Sequence, residues 1–209
     1  MMCLDFSQRI PCVILIDCLA PQNESQNNAI HEALQAFQSI LTKDSHLTNA
    51  LDICVMSCGE SVSIEQDFIS GADFQIPAIR TSTQRNLNTA LNMVLTKLSK
   101  QRMVYWSLDT RHTKPLLIVI SDGRATDRVF EEETRDRVRE CISKMEVAYV
   151  PMRLGDADIA YLESFYPTLF GDKTVLDASA SEFRDVMPSF WRDNDIFTPP
   201  IPNCITIGI

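Results

Sequence analysis

The sequence predicts an α/β protein: a mostly parallel, six-stranded sheet with one antiparallel strand, covered by helices on both faces in three layers. Two observations carry this. Cys12-Val-Ile-Leu-Ile16 and Leu116-Leu-Ile-Val-Ile120 are almost wholly apolar runs, ended by Asp17 and by Ser121-Asp122-Gly123. Such runs read as strands buried on both faces. Segments with apolar residues every three to four positions alternate with them, as helices do. In open sheets of this kind, ligands collect beyond the carboxyl ends of the strands. Asp17 and Asp122, far apart in sequence, are therefore delivered to one crevice.

The remaining elements follow in order. Asn27 to Lys43 carries Ile30, Leu34, Phe37 and Leu41 on one helical stripe. Leu51 to Cys58 and Ser61 to Ile69 read as strands joined by Gly59-Glu60, a connection short enough to force an antiparallel pair. From Asn86, residues Leu87, Leu91, Val94, Leu95 and Leu98 define a second helix, and Lys100 to Lys114 reads as a less regular polar stretch. A charged helix after Asp122 places Phe130, Thr134, Val138, Cys141 and Met145 on one face. Glu146 to Met152 is a strand, Asp158 to Phe165 a short helix, and Lys173 to Leu176 a last strand. Ser179-x-x-Glu182 is a capping box opening a helix towards Trp191, with Phe183, Val186 and Phe190 inward. Pro199, Pro200 and Pro202 make the tail extended.

Composition excludes several functions. The chain has 209 residues and a net charge of -9. That length suits one domain spanning residues 1–209. The acidity argues against nucleic acid, which requires a basic stripe. No apolar run approaches the ~20 residues that cross a bilayer, and Met1-Met-Cys-Leu-Asp5 lacks the pattern of a secretory signal. Seven Cys without Cys-x-x-Cys spacing, with Cys12, Cys18, Cys54 and Cys141 in or beside apolar runs, read as reduced thiols of a cytoplasmic protein.

Four stretches resemble a von Willebrand factor A domain: Val13-Ile-Leu-Ile-Asp17, Phe74-Gln-Ile-Pro77, Leu87-Asn-Thr-Ala-Leu91 and Ser121-Asp-Gly-Arg-Ala-Thr-Asp127. Gly155-Asp-Ala-Asp158 with Leu162 is similar to the bacterial TerY-like, tellurium-resistance-associated branch. The similarity spans residues 10–193 and leaves 194–209 as the tail. It implies a Rossmann-like, three-layer fold and a metal-ion-dependent adhesion site. In that site an Asp-x-Ser-x-Ser turn, a loop Thr and a later Asp surround Mg²⁺ or Mn²⁺, hard cations that take oxygen ligands. Carried over, the aspartates are Asp17 and Asp122, the two Ser positions are Leu19 and Pro21, and the Thr position is Arg85. All three hydroxyl ligands are replaced, so the resemblance implies a degenerate site without a metal cofactor. It further implies a non-catalytic module that binds another protein, in a stress or conflict system.

Three readings of this crevice stay open. Arg85 can replace the metal, because a guanidinium bridges carboxylates and stays charged. The aspartates can be a buried relic satisfied by backbone amides. Mg²⁺ can still bind at Asp17 and Asp122, with Ser121 or Ser25 helping. The competing class is a Rossmann-like hydrolase or phosphatase using Asp17 and Asp122. A second acid two residues after Asp17 is missing, because position 19 is Leu. Cys18 follows Asp17 but has no nearby His to activate it. No glycine-rich phosphate loop follows the first strand. Asp127 is expected to cap the helix that follows it, and Asp156 or Asp158 to cap the next. Phe130 to Arg139 reads as a solvated face with opposite charges three and four residues apart. His31, His46 and His112 lack ligand spacing, and His31 reads as a surface position.

Overall fold

A computed structural model describes residues 8–18, 24–167, 175–179 and 181. Its sheet has six strands: β1 (Ile10–Asp17), β2 (Leu51–Cys58), β3 (Val62–Ser70), β4 (Leu116–Ser121), β5 (Ala148–Arg153) and β6 (Leu176–Asp177). Their order across the sheet is β3-β2-β1-β4-β5-β6. All neighbours are parallel except β2 and β3. The central strands β1 and β4 are buried at every position, which is why their sequences are continuous apolar runs rather than alternating ones.

Side chains leave β1 on alternate faces, and the core divides accordingly. Ile10, Cys12, Ile14 and Ile16 join one cluster with α1 (Glu24–Lys43), through Ile30, Leu34, Phe37 and Leu41. Phe74 closes that cluster, its ring edge-on to Phe37 at 5.6 Å between centroids. Val13 and Leu15 join the other, with α3 (Leu87–Ser107), α4 (Glu131–Ser143) and α5 (Ile159–Glu163). The result is the three-layer, Rossmann-like α/β architecture that the sequence predicts.

Several elements differ from the sequence reading. The first helix begins at Glu24 rather than Asn27. It is followed by α2 (Ser45–Ala50), a short helix capped by the Asp44 carboxylate, which accepts from the amides of His46 and Leu47. The stretch after Lys100 stays helical to Ser107, because Tyr105 is buried and its hydroxyl reaches Asp52. The inward face of α4 is Thr134, Val138 and Ile142, while Phe130 and Met145 are each half exposed. Leu19, Pro21, the Ser179–Glu182 box, the helix towards Trp191 and the tail extend into or lie among residues outside the described ones. No helix among the described residues is long and apolar enough to cross a membrane.

Candidate functional site

Parallel strand ends, not local motifs, assemble the site. Asp17 is the last residue of β1, and Asp122 directly follows β4. Arg85 lies in the loop that leads into α3, and its main chain is fixed from two sides. Its amide donates to Thr126 Oγ1 at 2.9 Å, while the Thr126 amide and hydroxyl both donate to its carbonyl. The next residue, Asn86, is tied to the β2–β3 turn through the carbonyls of Gly59 and Glu60. The three residues thus meet at the carboxyl edge of the sheet.

Their contacts are unequal. Arg85 Nη1 donates to both Asp122 oxygens at 2.6 Å, and the Arg124 amide donates to Asp122 Oδ1 at 2.9 Å. Asp17 is satisfied differently. The Ser121 hydroxyl donates to its Oδ2 at 2.7 Å, and the Cys58 thiol to its Oδ1 at 3.7 Å. Among the described residues, no hydrogen bond joins Arg85 to Asp17, so the guanidinium engages one carboxylate rather than bridging two. Asp17 is wholly buried, and burial pushes its carboxyl up to about 7, helped by the Asp122 charge. The Ser121 bond, the Arg85 charge and the Cys58 bond pull the other way.

Gly123 is required where it stands. Its φ is +74°, and a Cβ would meet the Asp158 carbonyl oxygen at 2.7 Å. That closeness holds the loop after β4 against the start of α5, where Asp122 accepts from the Asp158 amide at 2.8 Å.

Other candidates fall outside the crevice. Asp127 caps the preceding helix, not the following one. Its carboxylate accepts from the amides of Asn88 and Thr89, the Asn88 side-chain amide and the Thr89 hydroxyl. It makes no capping bond to the 3₁₀ turn that it precedes. Asp158 caps α5 through the Tyr161 amide, and exposed Asp156 lies 3.6 Å from Arg124. Ser25 is exposed on α1, and His31 is exposed beside Gln35. Cys18 is buried, and burial raises its thiol, so it is a poor nucleophile. Cys58 is the contact that sequence reasoning missed; its only signal is its place opposite Asp17 in the β1–β2 register.

No family profile and no curated protein matches the chain. Solved structures do. Proximal thread matrix protein 1 from the mussel byssus aligns at 11% identity with a TM-score of 0.61, over 87% of this chain and 47% of that one. The manganese-loaded TRAP protein of Plasmodium vivax aligns at 12% identity and a TM-score of 0.56, over 85% and 71%. The ArnB paralog VWA2 from Sulfolobus acidocaldarius aligns at 19% identity and a TM-score of 0.54, over 85% and 43%. The fold is therefore of the von Willebrand factor A type. The chain spans less than half the length of the mussel and Sulfolobus structures, and at these identities the likeness is one of fold.

Proposed function

We propose that this chain is a non-catalytic protein-interaction module whose adhesion site has exchanged its cation for Arg85. The carrying observation is the position of Arg85 Nη1, 2.6 Å from both Asp122 oxygens. A divalent cation at this carboxylate must displace the guanidinium or tolerate its charge. It must also find hard oxygen ligands elsewhere. Leu19 and Pro21 offer no side-chain oxygen, and both oxygens of Asp17 already accept from Cys58 and Ser121. Among the described residues, no group of three or more His, Cys, Asp or Glu could hold a metal. The donors among the described residues do not fit Mg²⁺ or Mn²⁺, although the Plasmodium vivax TRAP structure of the same fold is manganese-loaded.

Asp17 as a hydrolytic nucleophile has little physical support. The side chain is sealed from solvent, so no substrate atom can approach it without local opening. The proposed partner is another protein, engaged at the carboxyl edge around Arg85 and Asp122. The resemblance to TerY-like proteins suggests a bacterial, cytoplasmic stress or conflict system, a destination that rests on analogy of fold.

Capture from a host lysate tests this reading. Wild type and Arg85→Lys are immobilised and washed with and without EDTA. A specific protein partner retained in EDTA and weakened by Arg85→Lys supports the proposal, because lysine cannot reproduce the planar guanidinium. Capture that requires Mg²⁺ and vanishes in EDTA contradicts it. Phosphatase or esterase turnover lost in a folded Asp17→Asn variant overturns the non-catalytic assignment.

A further inference from the structure

Two apolar patches of opposite charge lie at opposite ends of the helical layer formed by α3 and α4. The first is the end of α3 and the turn after it. Met103, Trp106 and Leu108 are 61%, 57% and 68% exposed there. Residues 100–114 carry Lys100, Arg102, Arg111 and Lys114 against a single acid, Asp109. The Arg102 guanidinium stacks 5.5 Å from the Trp106 ring. This basic surface stands out on a chain of net charge -9. It lies at the amino edge of the sheet, because His112, whose ring neighbours Trp106, sits beside Arg9 at the start of β1.

The second patch is the start of α4, at the carboxyl edge. Val129 is 87% exposed and Phe130 50%. Three glutamates, Glu131, Glu132 and Glu133, fill the first turn. Arg128 and Arg135 both pair with Glu131, leaving Glu132 and Glu133 exposed beside Phe130 without an ion pair among the described residues.

We propose that this chain associates head to tail with a second copy of itself, the α3 end of one copy seating on the α4 start of the next. Both patches have the character of an interface centre, with Trp, Phe, Met and Arg inside a charged rim. Their charges are complementary, so the encounter is steered. An α3 end facing another α3 end brings like charges together, as does an α4 start facing its own kind. The contact therefore joins unlike patches; at opposite ends of one layer they propagate head to tail, whereas a two-fold antiparallel pair making both contacts at once would close as a dimer. The α3 end alone also fits an anionic membrane surface; the acidic, apolar counterpart on the same molecule favours self-association. The contact uses the flank of α4 rather than the Arg85–Asp122 pair, so it stands independently of the function proposed above.

Sedimentation equilibrium over a concentration series at low salt tests it. The wild type should show an average mass that rises with concentration past twice the monomer mass and falls as salt is added. Trp106→Ser and Phe130→Ser, at positions too exposed to support the core, should each be monomeric alone. Mixed, they should form a complex of twice the monomer mass that grows no further, because each supplies the end that the other lacks. Three results overturn the proposal: a monomeric wild type at every concentration, including one that binds anionic vesicles; a variant that still self-associates alone; or a mixture that stays monomeric.

Discussion

The sheet carries an arginine–carboxylate pair at each of its two edges, and the two are built differently. At the amino edge, Arg9 uses its whole guanidinium: Nε and Nη2 fork onto Asp52, and Nη1 donates to the Asn49 carbonyl. Asp52 also accepts from the Tyr105 hydroxyl. That cluster ties the start of β1 to β2 and α3, and its bonding capacity is used within the fold. At the carboxyl edge, Arg85 spends only Nη1, shared between the two oxygens of Asp122. Nε and Nη2 have no hydrogen-bond acceptor among the described residues. A saturated pair supports the fold. An unsaturated one, on a side chain 19% exposed, leaves two donor nitrogens unused by the described residues, and the function proposed above assigns them to a partner.

Three substitutions follow, the first two of which test that contrast. Asp52→Ala should cost most, about 3–4 kcal/mol in urea unfolding, because it strands Arg9 and the Tyr105 hydroxyl together. The figure is below that for a deep-interior pair because the Arg9 side chain is 27% exposed. Arg85→Ala should cost less, about 2 kcal/mol, since Asp122 keeps the Arg124 amide and one bond rather than a network is lost. A cost for Arg85→Ala as large as that for Asp52→Ala would break the comparison.

The third concerns Asp17. Its folded carboxyl is raised from 3.8 to about 7, so between those values the folded state holds a proton that the unfolded chain has released. Stability from this group is therefore full in acid, falls as pH rises through that window, and levels off above it. The slope should reach about 1.4 kcal/mol per pH unit. Asp17→Asn should lack this component, so the difference between the two stability curves should follow that window. Parallel curves would show that Asp17 is ionised in the fold and that the Cys58–Ser121 environment is more polar than its burial implies.

The sequence disclosed the sheet well and the loops poorly, for physical reasons. Strands β1 and β4 lie between two helical layers, so every position but the last is apolar and the runs are unmistakable. The antiparallel β2–β3 pair followed from the short turn at Gly59. The end of α3 was harder. Lys100, Gln101 and Arg102 look like a loop, and the burial of Tyr105 against Asp52 favours continuing the helix through them. Around α4, Cys141 and Met145 are apolar like Ile142, but Met145 lies beyond the helix end at Ser143, so composition alone could not select the inward face. The cap on α3 comes from Asp127, some 39 residues after the Asn88 amide it accepts from, and no local rule anticipates that. In the site, Asp17 and Asp122 were legible from strand ends, and Arg85 only through the resemblance to the von Willebrand factor A pattern. Which carboxylate Arg85 would choose was not, because that depends on Ser121 and Cys58 having already satisfied Asp17.

In the function proposed above, the Arg85–Asp122 pair stands where a cation would otherwise bind. Calorimetric titration of the wild-type protein with MgCl₂ and MnCl₂ tests it directly, with Asp122→Ala as the control. Neither metal should give saturable heat, and the control should give the same trace. Saturable one-to-one binding at micromolar metal that disappears in Asp122→Ala would contradict it.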